Sequence, residues 1–393
     1  MSLFVLFLLV TFQNILAVED WCLIDPIASD YDTPIVLTSD WKQRPQVSFY
    51  DRRIFFQKGE SFYIVCEQSS FKGWDIGKEY EKVTCVGDSI IISETSKKSL
   101  DFNTITCLPG VKGVIFNNVG GKCEKNYNLR VTGLVVHDKM FPAYSVCWEQ
   151  SQSVPLYAKF RTNKGRIDNA LKKNPNFSEN FEVGNHRQAV EALGVVNFIT
   201  DKVYLIDGRL ATQEDLFYPY EKDKVSDLVN VRLRWNTIEN GNWKIIQNSI
   251  RKFISNSTKL GEVTVLTGGL RVATLPNKEG VLVNLKLHNG KNPVPLWNWR
   301  LLHSHKAGVG VIFFVYNNPY VSKPVVNEEF NNTICRKNVL EQIEWVNTQI
   351  DNTSPFAGFT YACPLKLTKI IDKTMSEIVK NLLTPLGLPK KGQ

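Results

Sequence analysis

The eight residues Tyr204-Leu205-Ile206-Asp207-Gly208-Arg209-Leu210-Ala211 and, further along, Asn240-Gly241-Asn242-Trp243 decide how this chain is to be read. The helix after the second element is legible from spacing. Between Gly241 and Ser255, Trp243, Ile246, Ile250, Phe253 and Ile254 recur on one face, while Lys244, Gln247, Asn248 and Arg251 fall elsewhere. Downstream, Glu262–Gly268 and Gly310–Tyr316 are continuous apolar runs ended by Gly or Asn, the pattern of strands buried on both faces. Asn338–Asn347 and Asp372–Leu383 carry a helical period, and no internal repeat is present. Residues 136–393 therefore read as an α+β domain.

Upstream the pattern changes. Val47–Phe49, Phe62–Val65, Ser89–Ile92, Gly113–Phe116 and Leu129–Val136 are short strand-like runs separated by turn residues, none with a helical period. Cys22, Cys66, Cys85, Cys107, Cys123 and Cys147 fall early, and the next cysteines are Cys335 and Cys363. An even number of cysteines after a leader favours disulfides; the last two are expected to bond each other, and the pairing of the first six stays open. No spacing matches a zinc site. Leu3–Phe12 is apolar but too short to span a bilayer, and polar Gln13-Asn14 followed by Ile15-Leu16-Ala17 reads as a secretory cleavage signal. The expected organisation is a signal peptide over 1–17, a disulfide-rich β module over 18–135 and a larger domain over 136–393, in a secreted, extracellular protein without a membrane partner. Sequons at Asn176, Asn256, Asn331 and Asn352 agree with glycosylation and secretion.

The chain has 393 residues and a formal net charge of +8, and its 9 Trp, 13 Tyr and 22 Phe exclude a disordered protein. The charge is concentrated. Tyr157–Lys173 holds Lys159, Arg161, Lys164, Arg166, Lys172 and Lys173 against Asp168 alone, and Val229–Lys252 holds Arg232, Arg234, Lys244, Arg251 and Lys252 against Glu239 alone. These two segments contain the whole positive excess. Adjacent in a fold, they would form a face suited to a phosphate polyanion. Tyr157, Phe160, Trp235 and Trp243 are interleaved among them, though Trp243, Trp297 and Trp299 read as packing residues rather than base-stacking platforms.

Taken in order, Val154-Pro155-Leu156-Tyr157, Tyr204–Ala211, Asn240–Trp243, Glu262–Gly268, Val294–Trp299, the strand ending Asn317-Asn318-Pro319-Tyr320, and Ile343-Glu344 resemble the DNA/RNA non-specific endonuclease family of ββα-metal (His-Me finger) nucleases. The resemblance runs over roughly residues 136 to 365, and a β module ahead of such a domain is similar to the arrangement in secreted insect nucleases, including the salivary nuclease-like group of tsetse flies. It implies a ββα-metal nuclease-like α+β domain preceded by a small disulfide-rich β module.

What the resemblance implies about the site is where this chain departs from the family. Active members use a His as general base, and Arg209 stands at that position. A guanidinium stays protonated and has no acceptor lone pair, so it does not take a proton from water, although it grips phosphate well. The family's metal-binding Asn aligns with Glu239, and the helical Glu supporting the metal aligns with Gln247. The Asn-Xaa-Xaa-Pro-Gln segment reads Asn230-Val231-Arg232-Leu233-Arg234, and an upstream transition-state Arg corresponds to Arg166 or Arg161. The expectation is a sequence-independent binder of double-stranded DNA and RNA, with phosphates met by Arg161, Arg166, Arg209, Arg232, Arg234 and Lys244 and hydrolysis lost or residual. Glu239 would be the ligand of an optional Mg²⁺. Two alternatives are a working Mg²⁺-dependent endonuclease with a non-standard base and a non-catalytic interaction protein. Of the histidines, His137 lies in an apolar run, His186 in a polar loop, and His288, His303 and His305 further on; none holds a motif position, and only the 303/305 pair suggests a substitute base.

Overall fold

Val265 and Leu266 are neighbours on one strand and enter different hydrophobic clusters, as do Ile312 and Phe313 on another. Successive strand residues point to opposite faces, so a run apolar at every position needs a sheet covered on both sides. The computed structural model has that arrangement. It describes residues 21–25, 33–40, 53–66, 70–72, 79–108, 114–116, 121–124, 127–136, 139–167, 183–216, 228–366 and 369–383. The chain divides into two compact units: Met1–Val114 with Leu134–Phe141 and Tyr218–Tyr220, and Ile115–Gly133 with Pro142–Phe217 and Glu221–Gln393.

In the first unit, Ile35–Thr38, Ser61–Val65, Tyr80–Gly87, Ile90–Ser93 and Ser99–Asp101 form a five-stranded sheet in that order. Alternation buries Phe62, Ile64, Val83 and Ile91, and disulfides Cys22–Cys85 and Cys66–Cys107 cross-link a small core. Val47–Phe49 lies outside the described residues.

In the second unit, Val154–Thr162, Val263–Val272, Pro295–Ser304, Val309–Tyr316 and Thr360–Pro364 pair antiparallel in that order within one sheet. Helix Lys244–Asn256 contributes Ile246, Ile250 and Ile254 to one cluster, and helix Lys373–Leu383 contributes Met375, Ile378 and Val379 to the other. Trp297 and Trp299 are buried packing residues, as their spacing indicates. Disulfides join Cys123 to Cys147 and, as expected, Cys335 to Cys363.

Two helical expectations need correction. Asn338–Asn347 is not one helix but a 3-10 turn over Leu340–Gln342 and a short helix over Glu344–Asn347, broken at Ile343 with φ −108° and ψ 76°. Asn338 explains the break, because its Oδ1 accepts from the backbone N–H of Leu340 at 3.1 Å and of Ala362 at 3.0 Å, tying the segment to the last sheet strand. The helix expected from Gly241 begins only at Lys244, after a π turn over Glu239–Trp243 in which Gly241 leaves helical geometry. A Cβ at Gly241 would lie 2.7 Å from the Ala357 carbonyl oxygen, so only glycine admits that approach.

Asn242 follows at the same crossing and is fully buried. It donates to the carbonyls of Asp351 at 2.8 Å and Gly358 at 2.7 Å and accepts from the Asp351 N–H at 3.0 Å. Replacing it leaves these backbone groups unpaired in the interior. Asn242→Ala is expected to cost roughly 2–4 kcal/mol in urea unfolding, well beyond an exposed Asn→Ala such as Asn240→Ala.

Candidate functional site

Leu205–Arg209 and Val231–Trp235 pair antiparallel, with Ile206 opposite Arg234, Gly208 opposite Arg232 and Arg209 opposite Val231. The π turn and helix Lys244–Asn256 follow directly, completing a β-β-α unit. Asp207 and Arg209 share one face of the first strand. Asn230 closes the Arg209–Val231 end of the hairpin. Fully buried, it accepts from the Ala211 N–H at 2.9 Å and donates to the Ala211 carbonyl at 2.7 Å, a backbone clasp that fixes where Arg209 ends the strand.

Arg234 has no exposed surface. Its Nη1 donates to Glu239 Oε2, and its guanidinium carbon lies 4.4 Å from the Trp243 ring centroid. Gly208 makes room for it: a Cβ there would lie 2.7 Å from Nη1 and 2.8 Å from Cζ. Gln247 is buried and its Nε2 has no partner. Magnesium favours several oxygen ligands with charge to match its own. Here the Glu239 carboxylate is already countered by a guanidinium, and Gln247 on the helix that follows is a neutral amide. Among the described residues the one group of three His, Cys, Asp or Glu close enough to hold an ion is Cys123, Glu124 and Cys147, whose sulfurs are joined in a disulfide. While Arg234 is paired with Glu239, Glu239 and Gln247 do not fit a divalent cation.

Beside this pair lies a buried ion cluster that spacing did not reveal. Asp215 Oδ1 accepts from Arg251 Nε at 3.0 Å and from Arg300 Nη2 at 2.7 Å. Arg251 also reaches Thr212 Oγ1 at 2.6 Å and Asn248 Oδ1 at 3.0 Å. Burial alone would raise the Asp215 carboxyl; Arg251 and Arg300 outweigh it and hold the group down at about 2. Arg251, read as part of a polar helix face, is therefore an internal residue. Its sequence signal was weak, whereas Arg300 in the apolar strand run Trp299–Leu302 was the visible anomaly.

The residues expected to meet phosphates separate by depth. Arg161 is exposed and pairs with Glu262 at 3.2 Å, and Lys244 is exposed. Arg166 and Arg209 are half-buried. Arg232 is buried, donates to the Pro155 carbonyl at 2.8 Å, and is lowered to about 10 by burial, with Arg234 adding to the shift. Lys172 and Lys173 lie outside the described residues. His186, expected in a loop, sits in helix Val183–Glu191, buried, with Nε2 3.0 Å from Asp207 Oδ1 and Nδ1 without a partner. Its ring centroid is 5.9 Å from that of His288. His303 and His305 stack edge to face at 6.5 Å, and burial followed by His305 lowers His303. His137 lies outside the described residues.

A hairpin closed by a buried asparagine, followed by a helix and set on a sheet covered on both faces, defines a ββα nuclease-type α+β domain, here preceded by a disulfide-bonded β module. The family model for DNA/RNA non-specific endonuclease matches residues 131–367, and the chain belongs to that family. It is 22% identical to Salivary protein Tsal1 of Glossina morsitans morsitans over 242 residues, 56% of this chain and 57% of that protein. It is 24% identical to Salivary endonuclease of Lutzomyia longipalpis over 320 residues, 78% of this chain and 72% of that protein. The chain thus spans just over half the length of the first relative. Among solved structures, a crystal structure of the EndoG/EndoGI complex matches with TM-score 0.32 and 12% identity, over 46% of this chain and 74% of that one.

The Asp215 cluster gives a signed pH dependence. Its folded value lies below the unfolded value of about 4, so the stability it adds is present above pH 4 and is lost as pH falls toward 2. Asp215→Asn, which leaves two buried guanidiniums facing a neutral amide, should cost about 3–5 kcal/mol at pH 7 in urea unfolding. Its stability should also vary less than that of the parent protein between about pH 4 and pH 2.

Proposed function

We propose that this chain is a secreted, sequence-independent nucleic-acid-binding protein on an endonuclease scaffold, with phosphodiester hydrolysis lost or residual. In this reading a signal peptide over 1–17 and a β module over 18–135 precede the endonuclease-like domain over 136–393. The observation that carries the reading is Arg209. It ends the first hairpin strand beside the Asn230–Ala211 clasp, and in this reading it takes the position of the family's general base. A permanently protonated side chain there holds a phosphate but does not activate water. Arg161, Arg166, Arg209 and Lys244 are the cations at or near the surface that would contact the backbones of double-stranded DNA and RNA. Arg232 and Arg234 support the hairpin from inside. The salivary relatives favour secretion. Exposed Asn256 and Asn331 suit glycosylation, whereas Asn352 spends its amide on Thr360, donating to the carbonyl at 2.9 Å and accepting from the N–H at 2.7 Å.

A second reading, a working nuclease with a non-standard base, has one observation in its favour: the His186 imidazole, oriented by Asp207 on the same strand face as Arg209, keeps Nδ1 unpaired. Plasmid nicking separates the two. EDTA-sensitive digestion at nanomolar protein, abolished by His186→Ala, would replace the first reading with the second.

Binding is read by fluorescence anisotropy on one duplex DNA and one duplex RNA across a salt series. Both should bind, with log affinity falling linearly in log salt. Arg209→Ala is expected to weaken both about tenfold, and Arg161→Ala and Lys244→Ala should each reduce the salt slope by about one. No binding at low salt would end the proposal.

A further inference from the structure

We infer that the Arg234 guanidinium is a built-in counter-cation that occupies Glu239 and keeps divalent metal out of this site. The inference concerns the chain's own ion pair rather than its nucleic-acid ligand, and it stands or falls separately from the function proposed above. Three features hold Arg234 in place: the Nη1 bond to Glu239 Oε2, the Trp243 ring beneath the guanidinium at 4.4 Å, and the missing side chain at Gly208, where a Cβ would sit 2.7 Å from Nη1. The guanidinium is fully buried, while the Glu239 side chain keeps 18% of its exposure. The other N–H groups of Arg234, Nε and Nη2, have no partner, so Glu239 is its one hydrogen-bonded anion. Drawing Glu239 toward a metal would leave a cation buried and unpaired, which is among the most destabilising changes an interior can undergo. While Arg234 holds Glu239, an incoming ion would find that carboxylate already neutralised and, from Gln247, only a neutral amide. The consequence is a pair whose net charge does not change with metal concentration, so phosphate attraction by the more exposed cations nearby does not wait for a metal to load.

Mn²⁺ uptake by the full chain, followed by the loss of free-ion electron paramagnetic resonance signal without nucleic acid, tests this directly. The parent protein and Arg234→Lys should show no saturable site at millimolar Mn²⁺. Arg234→Gln should gain a site at least about tenfold tighter than any residual binding by the parent, and Arg234→Gln with Glu239→Gln should lose it again. Gly208→Ala provides a second route that leaves both charges present: its methyl group displaces the guanidinium, and Mn²⁺ uptake should rise. Saturable Mn²⁺ binding by the parent that Glu239→Gln abolishes would overturn the inference. Folded Arg234→Gln and Gly208→Ala variants that both fail to take up Mn²⁺ would overturn it as well. Because no polynucleotide is present, neither outcome depends on whether the chain binds one.

Discussion

One carboxylate oxygen, Oδ1 of Asp215, holds the guanidinium of Arg251 from the helix and that of Arg300 from the central sheet. Its other oxygen accepts from the Thr212 N–H at 3.1 Å, immediately after the hairpin strand. All three parts of the ββα unit's surroundings meet at this one side chain: strand end, helix and sheet. A charge so deeply buried is tolerated only when its partners are fixed, and once they are fixed the geometry is fixed with them. The Asn230 clasp and the Asn242 crossing act in the same way with neutral groups, tying backbone to backbone where ladder bonds end. The hairpin and helix are thereby held in a rigid relation to the sheet by polar contacts that apolar packing alone would not specify.

That arrangement changes the meaning of the positive charge. The basic segments look uniform along the chain, but Arg232, Arg234 and Arg251 within them, and Arg300 beyond them, are all buried and are partnered by a carbonyl or a carboxylate. Their role is architectural. The cations left to face a polyanion are fewer and lie at strand ends and on the outer face of the helix. Net charge therefore overstates the phosphate-facing surface of this fold, and the salt dependence of binding is governed by the smaller, exposed set.

How much of this was legible follows from range. The amphipathic helix, the two-sided strands and the pairing of Cys335 with Cys363 depend on local period or on elimination, and all are present in the fold. The 338–347 segment was misread because its period is real, but Asn338 diverts the backbone to a strand distant in sequence. His186 was misread because a polar segment gave no sign of the helix or of Asp207. Arg251 was placed on a wet face since periodicity reports apolar stripes and is blind to a cation buried against an acid 36 residues away. Long-range polar pairing leaves no periodic trace, and it is what builds this site.

Arg234 and Glu239 are best understood as one feature rather than two. Each alone would be costly: a fully buried guanidinium without an acid, or a largely covered carboxylate without a cation. Together they neutralise each other, and Gly208 supplies the space that makes the contact sterically available. The scaffold's stability rests on Asp215, Asn230 and Asn242, none of which touches Glu239 in the described contacts. The charges of Arg234 and Glu239 are thus separate from the contacts that hold the hairpin and helix to the sheet.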